Sequence, residues 1–159
     1  MNSIGAIIVA AFAVLWVAVG ARELGRVWFI SLLLLALCIS GLIIFGAGFV
    51  PCAARGGHFD GRIYEMFVGL EVVAIICAVV LLKRAGRKQY LVPVIAVIVG
   101  LHFFGMVPAL HSNLFWWVGG AMCVLSLATM SILSQRFWAP VVGVGCALIL
   151  WLSALRAFF

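Results

Sequence analysis

The sequence predicts an all-α fold, a polytopic membrane helix bundle of about six transmembrane helices, with residues 1–159 forming one transmembrane domain. Hydrophobic residues make up 68% of the chain and charged residues only 9%, and the mean hydropathy is +1.37. Soluble domains have about 45–50% apolar and about 25% charged residues, so this composition excludes a soluble fold, a disordered tail and a disulfide scaffold. The apolar segments are too long for barrel strands and lack two-residue alternation, which argues for helices.

Six apolar segments are long enough to cross a bilayer as helices, at about 20 residues for each crossing. They lie at 3–20, 27–50, 63–82, 91–110, 114–133 and 138–157. The first segment has no Lys or Arg before it, as a signal peptide would require, so we interpret it as a retained span. Pro108 removes an amide donor from the fourth segment and predicts a bend near its end.

The segments between the spans are charged or turn-forming, and they set the boundaries of the helices. These connections lie at 21–26, 51–62, 83–90, 111–113 and 134–137. Because most of them are short, successive spans must be antiparallel neighbours. Only 51–62, with its glycines and Pro51, has room for a cap of its own.

The positive charges predict the orientation of the spans. Seven of the ten basic residues follow the first, third and fifth spans: Arg22, Arg26, Lys83, Arg84, Arg87, Lys88 and Arg136. The other three lie at the opposite ends of the spans: Arg55, Arg62 and Arg156. Since Lys and Arg accumulate in cytoplasmic loops, we expect both termini to be extracytoplasmic. The net charge of +6 then needs no nucleic acid as a partner, and membrane lipids are the expected surroundings.

The five cysteines predict no metal or redox site. Four of them lie within four different spans, at Cys38, Cys77, Cys123 and Cys146, and no pair has metal-binding or C-x-x-C spacing. Cys52 lies in the predicted external loop and is either a free thiol or half of an intermolecular bridge.

An acid and a base lie deep in adjacent spans. Glu71 is eight residues beyond Ile63, and His102 is eight residues before Leu110 on the antiparallel neighbour. At 1.5 Å per residue both lie about 12 Å into the bilayer from the external side. Phe67 shares the helix face of Glu71, and Gly105 shares that of His102. A charge at mid-bilayer costs about 2.5–3.5 kcal/mol, so we expect the two side chains to meet, directly or through one water or ligand group.

The candidate ligand-binding or proton-binding residues are Glu71, His102, Tyr64, Glu65 and His111. The Glu71–His102 pair could form a charged bridge, a neutral hydrogen bond or a proton relay. One histidine and one carboxylate are too few for a zinc site unless His58 or His111 folds inward, so no metal site, catalytic residue or identified cofactor is predicted.

Three functions fit these residues. The first is a membrane protein that binds or transports a small-molecule ligand, with or without coupling to the movement of protons. The second is a structural or assembly protein, a homo-oligomer or an accessory subunit, in which the pair only locks helices together. A membrane-embedded enzyme is third, because the sequence has no activated serine, metal signature or phosphate loop.

A short motif carries a family resemblance. The stretch Val99-Gly-Leu-His-Phe-Phe104 follows Tyr90-Leu-Val-Pro93 and precedes Pro108. It resembles the Gly-Leu-His-Phe intramembrane motif of small multi-span bacterial membrane proteins whose function is uncharacterised, although Gly105-Met106 stands where those proteins have an earlier proline. The resemblance implies a cell inner membrane location and a role for His102, and it implies no activity.

Overall fold

The structure, a computed structural model, describes residues 3–49, 61–110 and 112–156. Within these ranges it contains α-helices and short 3-10 turns but no strand. The α-helices are α1 (Ser3–Ala21), α2 (Arg26–Phe49), α3 (Gly61–Arg84), α4 (Leu91–Leu110), α5 (Leu114–Ile132) and α6 (Trp138–Leu155). Each predicted apolar segment corresponds to one of them, and the predicted all-α fold class is confirmed.

Five helices, α2 to α6, are long and apolar enough to cross a membrane. Helix α1 is apolar over Ile7–Ala21, the part of it whose side chains the structure describes. Its crossing, the sixth, stays a prediction. The helices and the composition together are those of an integral membrane protein.

The chain divides into two compact units, and the first contains α1, α2 and α6 from Ala139 onward. A buried hydrogen-bond chain ties these three helices together. The Trp151 indole Nε1 donates to Ser40 Oγ at 2.9 Å, and Ser40 Oγ donates to the Ala10 carbonyl at 2.8 Å. Ser40 is only 3% exposed, so these bonds satisfy polar groups that water does not reach.

Two glycines bring α1 and α6 into backbone contact in this unit. A Cβ placed on Gly20 would lie 2.7 Å from the Gly143 Cα atom and 2.8 Å from the Ala139 carbonyl oxygen. No side chain fits there without moving a helix, because the neighbouring atoms are backbone. Small residues permit such close packing where lipid supplies no hydrophobic driving force between helices.

The second unit, Gly56–Trp138, contains α3, α4 and α5, with α4 packed against the other two. The α4–α5 contact is close at Gly100, where a Cβ would lie 2.7 Å from Cys123 Sγ and 3.0 Å from the Gly119 carbonyl oxygen. Aromatic pairs continue this contact along the helices. The rings of Phe103 and Phe115 are stacked, with centroids 5.8 Å apart and planes 6° apart.

The helix ends of this unit follow from local residues. Gly86, at φ +69, ends α3 in a left-handed turn, and the Arg87 amide donates to the Leu82 carbonyl at 2.9 Å. A 3-10 turn at Lys88–Tyr90 then leads into α4. Helix α4 continues without interruption through Pro108 to Leu110, and the bend near its end stays a prediction. Proline in the last turn removes a single hydrogen bond, which the helix tolerates.

Candidate functional site

Helices α3 and α4 bring Glu71 and His102 together, as their equal depth predicts. His102 Nδ1 lies 3.4 Å from Glu71 Oε2, which is within ion-pair distance and slightly longer than a hydrogen bond of about 2.6–3.2 Å. The His102 side chain is 8% exposed and that of Glu71 is 18% exposed. The imidazole is therefore enclosed, while the carboxylate keeps a route to its surroundings.

The same ring nitrogen has a second acceptor. His102 Nδ1 lies 3.2 Å from the backbone carbonyl oxygen of Phe67. A carbonyl oxygen can only accept a hydrogen bond, so Nδ1 carries the proton and donates to it. The Phe67 carbonyl is also the intrahelical acceptor position for the Glu71 amide, so both contacts to His102 come from one turn of α3.

This arrangement favours one tautomer of His102. With the proton held on Nδ1, the other ring nitrogen, Nε2, is the acceptor whenever the imidazole is neutral. A carboxylate and a carbonyl acting on one nitrogen also fix the orientation of the ring, as in carboxylate–histidine pairs elsewhere. The Glu71 carboxylate is placed to stabilise an imidazolium if Nε2 gains a proton.

Gly105 provides the space for this contact. It lies one helical turn beyond His102 and is buried, and a Cβ added to it would overlap the aromatic ring of Phe67. The Phe67 ring therefore packs directly on the α4 backbone, which brings the Phe67 carbonyl within reach of the imidazole. The expected shared faces, Phe67 with Glu71 and Gly105 with His102, are the faces that meet.

Two of the other predicted residues, Tyr64 and Glu65, lie nearer the start of α3 than Glu71 does. Tyr64 is part-buried on the face of Glu71 but lies two helical turns away, about 10 Å along the axis. Glu65 is exposed. Ser126 is buried in α5 and donates to its own helix at the Met122 carbonyl, 2.8 Å away. His111 and His58, like Cys52, lie outside the described residues.

Two features were missed by sequence reasoning. The Phe67 carbonyl has no sequence signature as an acceptor, because every residue carries one. The Trp151–Ser40 bond had a usable signal: Trp151 lies within its apolar segment rather than at the membrane interface, and a buried indole N–H needs an acceptor.

No group of three or more His, Cys, Asp or Glu side chains that could hold a metal ion occurs among the described residues. Comparisons of the chain with protein-family models, with curated proteins and with solved structures give no match. The chemistry of the site itself is therefore what supports a function: a fixed imidazole, a neighbouring carboxylate and apolar surroundings.

Proposed function

We propose that this integral membrane protein binds or transports a small molecule at the Glu71–His102 pair, in a proton-linked manner. The proposal depends on two contacts of His102 Nδ1. This nitrogen lies 3.4 Å from Glu71 Oε2 and 3.2 Å from the Phe67 carbonyl oxygen. Because these contacts place the imidazole proton on Nδ1, the lone pair of Nε2 can accept a hydrogen bond or a proton from a ligand. Placing an ionisable side chain inside a membrane costs free energy, and most such residues serve a function.

The proton step follows from the two side chains. A ligand that transfers an O–H or N–H proton to Nε2 becomes its conjugate base and converts His102 into an imidazolium, whose positive charge the Glu71 carboxylate balances. Return of that proton from Nε2 to the ligand, or its transfer to water, restores the neutral tautomer. The surrounding residues, including Phe67 and Phe103, favour a ligand with an apolar body and one polar, protonatable group.

Access to the pair is proposed along α3. This helix has no buried residue along its described length, and the Glu71 carboxylate on it is partly exposed. An entrance opened by a break in α4 at Pro108 has no support, since α4 is continuous there.

The alternative is a structural or assembly role, and one observation favours it. The Glu71–His102 pair and the Phe67 carbonyl join α3 to α4 at a point where Gly105 lets the helices approach closely. Polar side chains that bridge helices in membranes stabilise packing without any ligand. In that case the protein would act as a homo-oligomer or an accessory subunit, and the pair would only fix the helices.

The two functions are separated by purified protein in phosphatidylcholine proteoliposomes that contain a pH-sensitive dye. A potassium diffusion potential supplies the driving force, and native mass spectrometry of the same preparation detects a copurified small molecule. We expect proton movement or a bound molecule in the wild type, and its loss in Glu71→Gln and His102→Gln.

Glu23→Gln is the matched control, because it makes the same change at an exposed carboxylate outside the spans. It should behave as the wild type. A wild type with neither proton movement nor a bound molecule, combined with lowered stability in the two site variants alone, would favour the packing role and contradict the proposal.

A further inference from the structure

A groove of about 650 Å³ lies between α1 and α2, at the end where the two helices are connected. One part of its wall is apolar and is formed by Leu15, Ala18, Val19 and Phe29. The other part carries two arginines, Arg22 and Arg26. Apolar and cationic surface therefore face the same space.

The polarity of the groove changes along the axis of α1. Leu15, Val19 and Arg22 are four and three residues apart, so they lie on one face of the helix. The distance from Leu15 to Arg22 along that axis is about 10 Å at 1.5 Å per residue. Leu15 is 58% exposed and Val19 is 47% exposed, so the part of the chain that the structure describes leaves these two side chains uncovered.

The cationic end has a second source of positive potential. Helix α2 begins at Arg26, and its first-turn amides have no acceptor within the helix. The amino end of a helix also carries the positive end of its dipole, which favours anions. Gly25, at φ +87, makes the tight connection that places this end beside Arg22 on α1.

We propose that this groove binds one anionic glycerophospholipid. Its phosphate would lie at Arg22, Arg26 and the amino end of α2, and an acyl chain would follow Leu15, Val19 and Phe29. The groove is cationic at one end and apolar along the rest of its wall. This polarity matches that of such a lipid, which has an anionic headgroup and apolar acyl chains. A free phosphate would use only the cationic end and would leave the apolar wall uncovered. The proposal is independent of the function of Glu71 and His102.

The test measures lipid retained by the purified full chain after incubation with phosphatidylcholine vesicles that contain phosphatidylglycerol. Native mass spectrometry counts each lipid on the protein. We expect selective retention of phosphatidylglycerol, and a loss of about thirtyfold in the double variant Arg22→Gln, Arg26→Gln, from the contribution of each basic residue to binding of an anionic lipid. Arg84→Gln with Arg87→Gln removes the same charge from exposed positions outside the groove and should keep wild-type retention.

Two further variants separate charge, groove shape and folding. Arg22→Lys with Arg26→Lys keeps the positive charge and should retain most of the phosphatidylglycerol. If the glutamine variant does not fold, this variant still tests whether charge at these two positions supports lipid binding. Ala18→Phe fills the apolar wall with both arginines in place and should lower phosphatidylglycerol retention several-fold. Glycerol 3-phosphate, which lacks acyl chains, should not be retained.

Three results would overturn the proposal. The first is undiminished phosphatidylglycerol on the folded glutamine variant, and the second is an equal loss in the Arg84 and Arg87 control. The third is retention of glycerol 3-phosphate together with lipid retention that Ala18→Phe leaves unchanged, which would indicate a soluble-anion site instead.

Discussion

The coupling between Glu71 and His102 gives the sharpest stability prediction. Glu71→Gln removes the charge next to His102 but keeps an acceptor, whereas His102→Gln replaces the imidazole, whose Nδ1 contacts both Glu71 and the Phe67 carbonyl, with a flexible amide. Hydrogen bonds to charged groups contribute about 1.5–3 kcal/mol in soluble proteins. Interhelical hydrogen bonds in membranes average about 0.6 kcal/mol, with a maximum near 1.7.

The enclosure of His102, at 8% exposure, places this pair toward the upper part of the membrane range. We expect a loss of about 0.5–1 kcal/mol for Glu71→Gln and about 1–2 kcal/mol for His102→Gln. The double variant should cost less than the sum by about 0.5–1 kcal/mol, because the second change acts on a contact that the first has already weakened.

The assay is reversible unfolding in mixed detergent micelles, followed by circular dichroism, for the wild type, both single variants and the double variant. Glu23→Gln, at an exposed position, should change the free energy of unfolding by less than about 0.5 kcal/mol. Additivity of the two losses to within about 0.3–0.5 kcal/mol would refute the coupling.

Three further predictions concern packing and orientation. Trp151→Phe breaks the bond to Ser40 and should lower the free energy of unfolding by about 1 kcal/mol, measured in the same assay. Gly105→Ala forces an aromatic ring to move and should cost about 1–3 kcal/mol, whereas Gly69→Ala, with open space around it, should be neutral or stabilising; equal effects would contradict the packing argument. Cys52 should react with an impermeant maleimide in intact cells, and labelling only after permeabilisation would reverse the predicted topology.

The helices and the meeting of Glu71 with His102 could be predicted because both depend on regular geometry. Helical rise fixes the depth of a residue once the ends of its apolar segment are known, and adjacent antiparallel spans bring residues of equal depth together. The helix face was predictable for the same reason, since Glu71 and Phe67 are four residues apart. These inferences need only the spacing of residues in one dimension.

What escaped prediction depends on contacts in three dimensions. The Phe67 carbonyl became an acceptor because its ring packs on Gly105, and no residue type encodes that event. The bond between Trp151 and Ser40 joins residues 111 positions apart, beyond any local pattern.

The central claim is that the two contacts of Nδ1 make His102 Nε2 the acceptor for a ligand or a proton. Nitrogen-15 solid-state NMR tests this claim most directly. The protein is labelled on histidine and reconstituted in lipid, and the His102 signals are assigned by their loss in His102→Gln. At neutral pH the account predicts a protonated Nδ1, and Glu71→Gln should weaken that preference. A neutral His102 with a bare Nδ1 and a protonated Nε2, unchanged by Glu71→Gln, would contradict it.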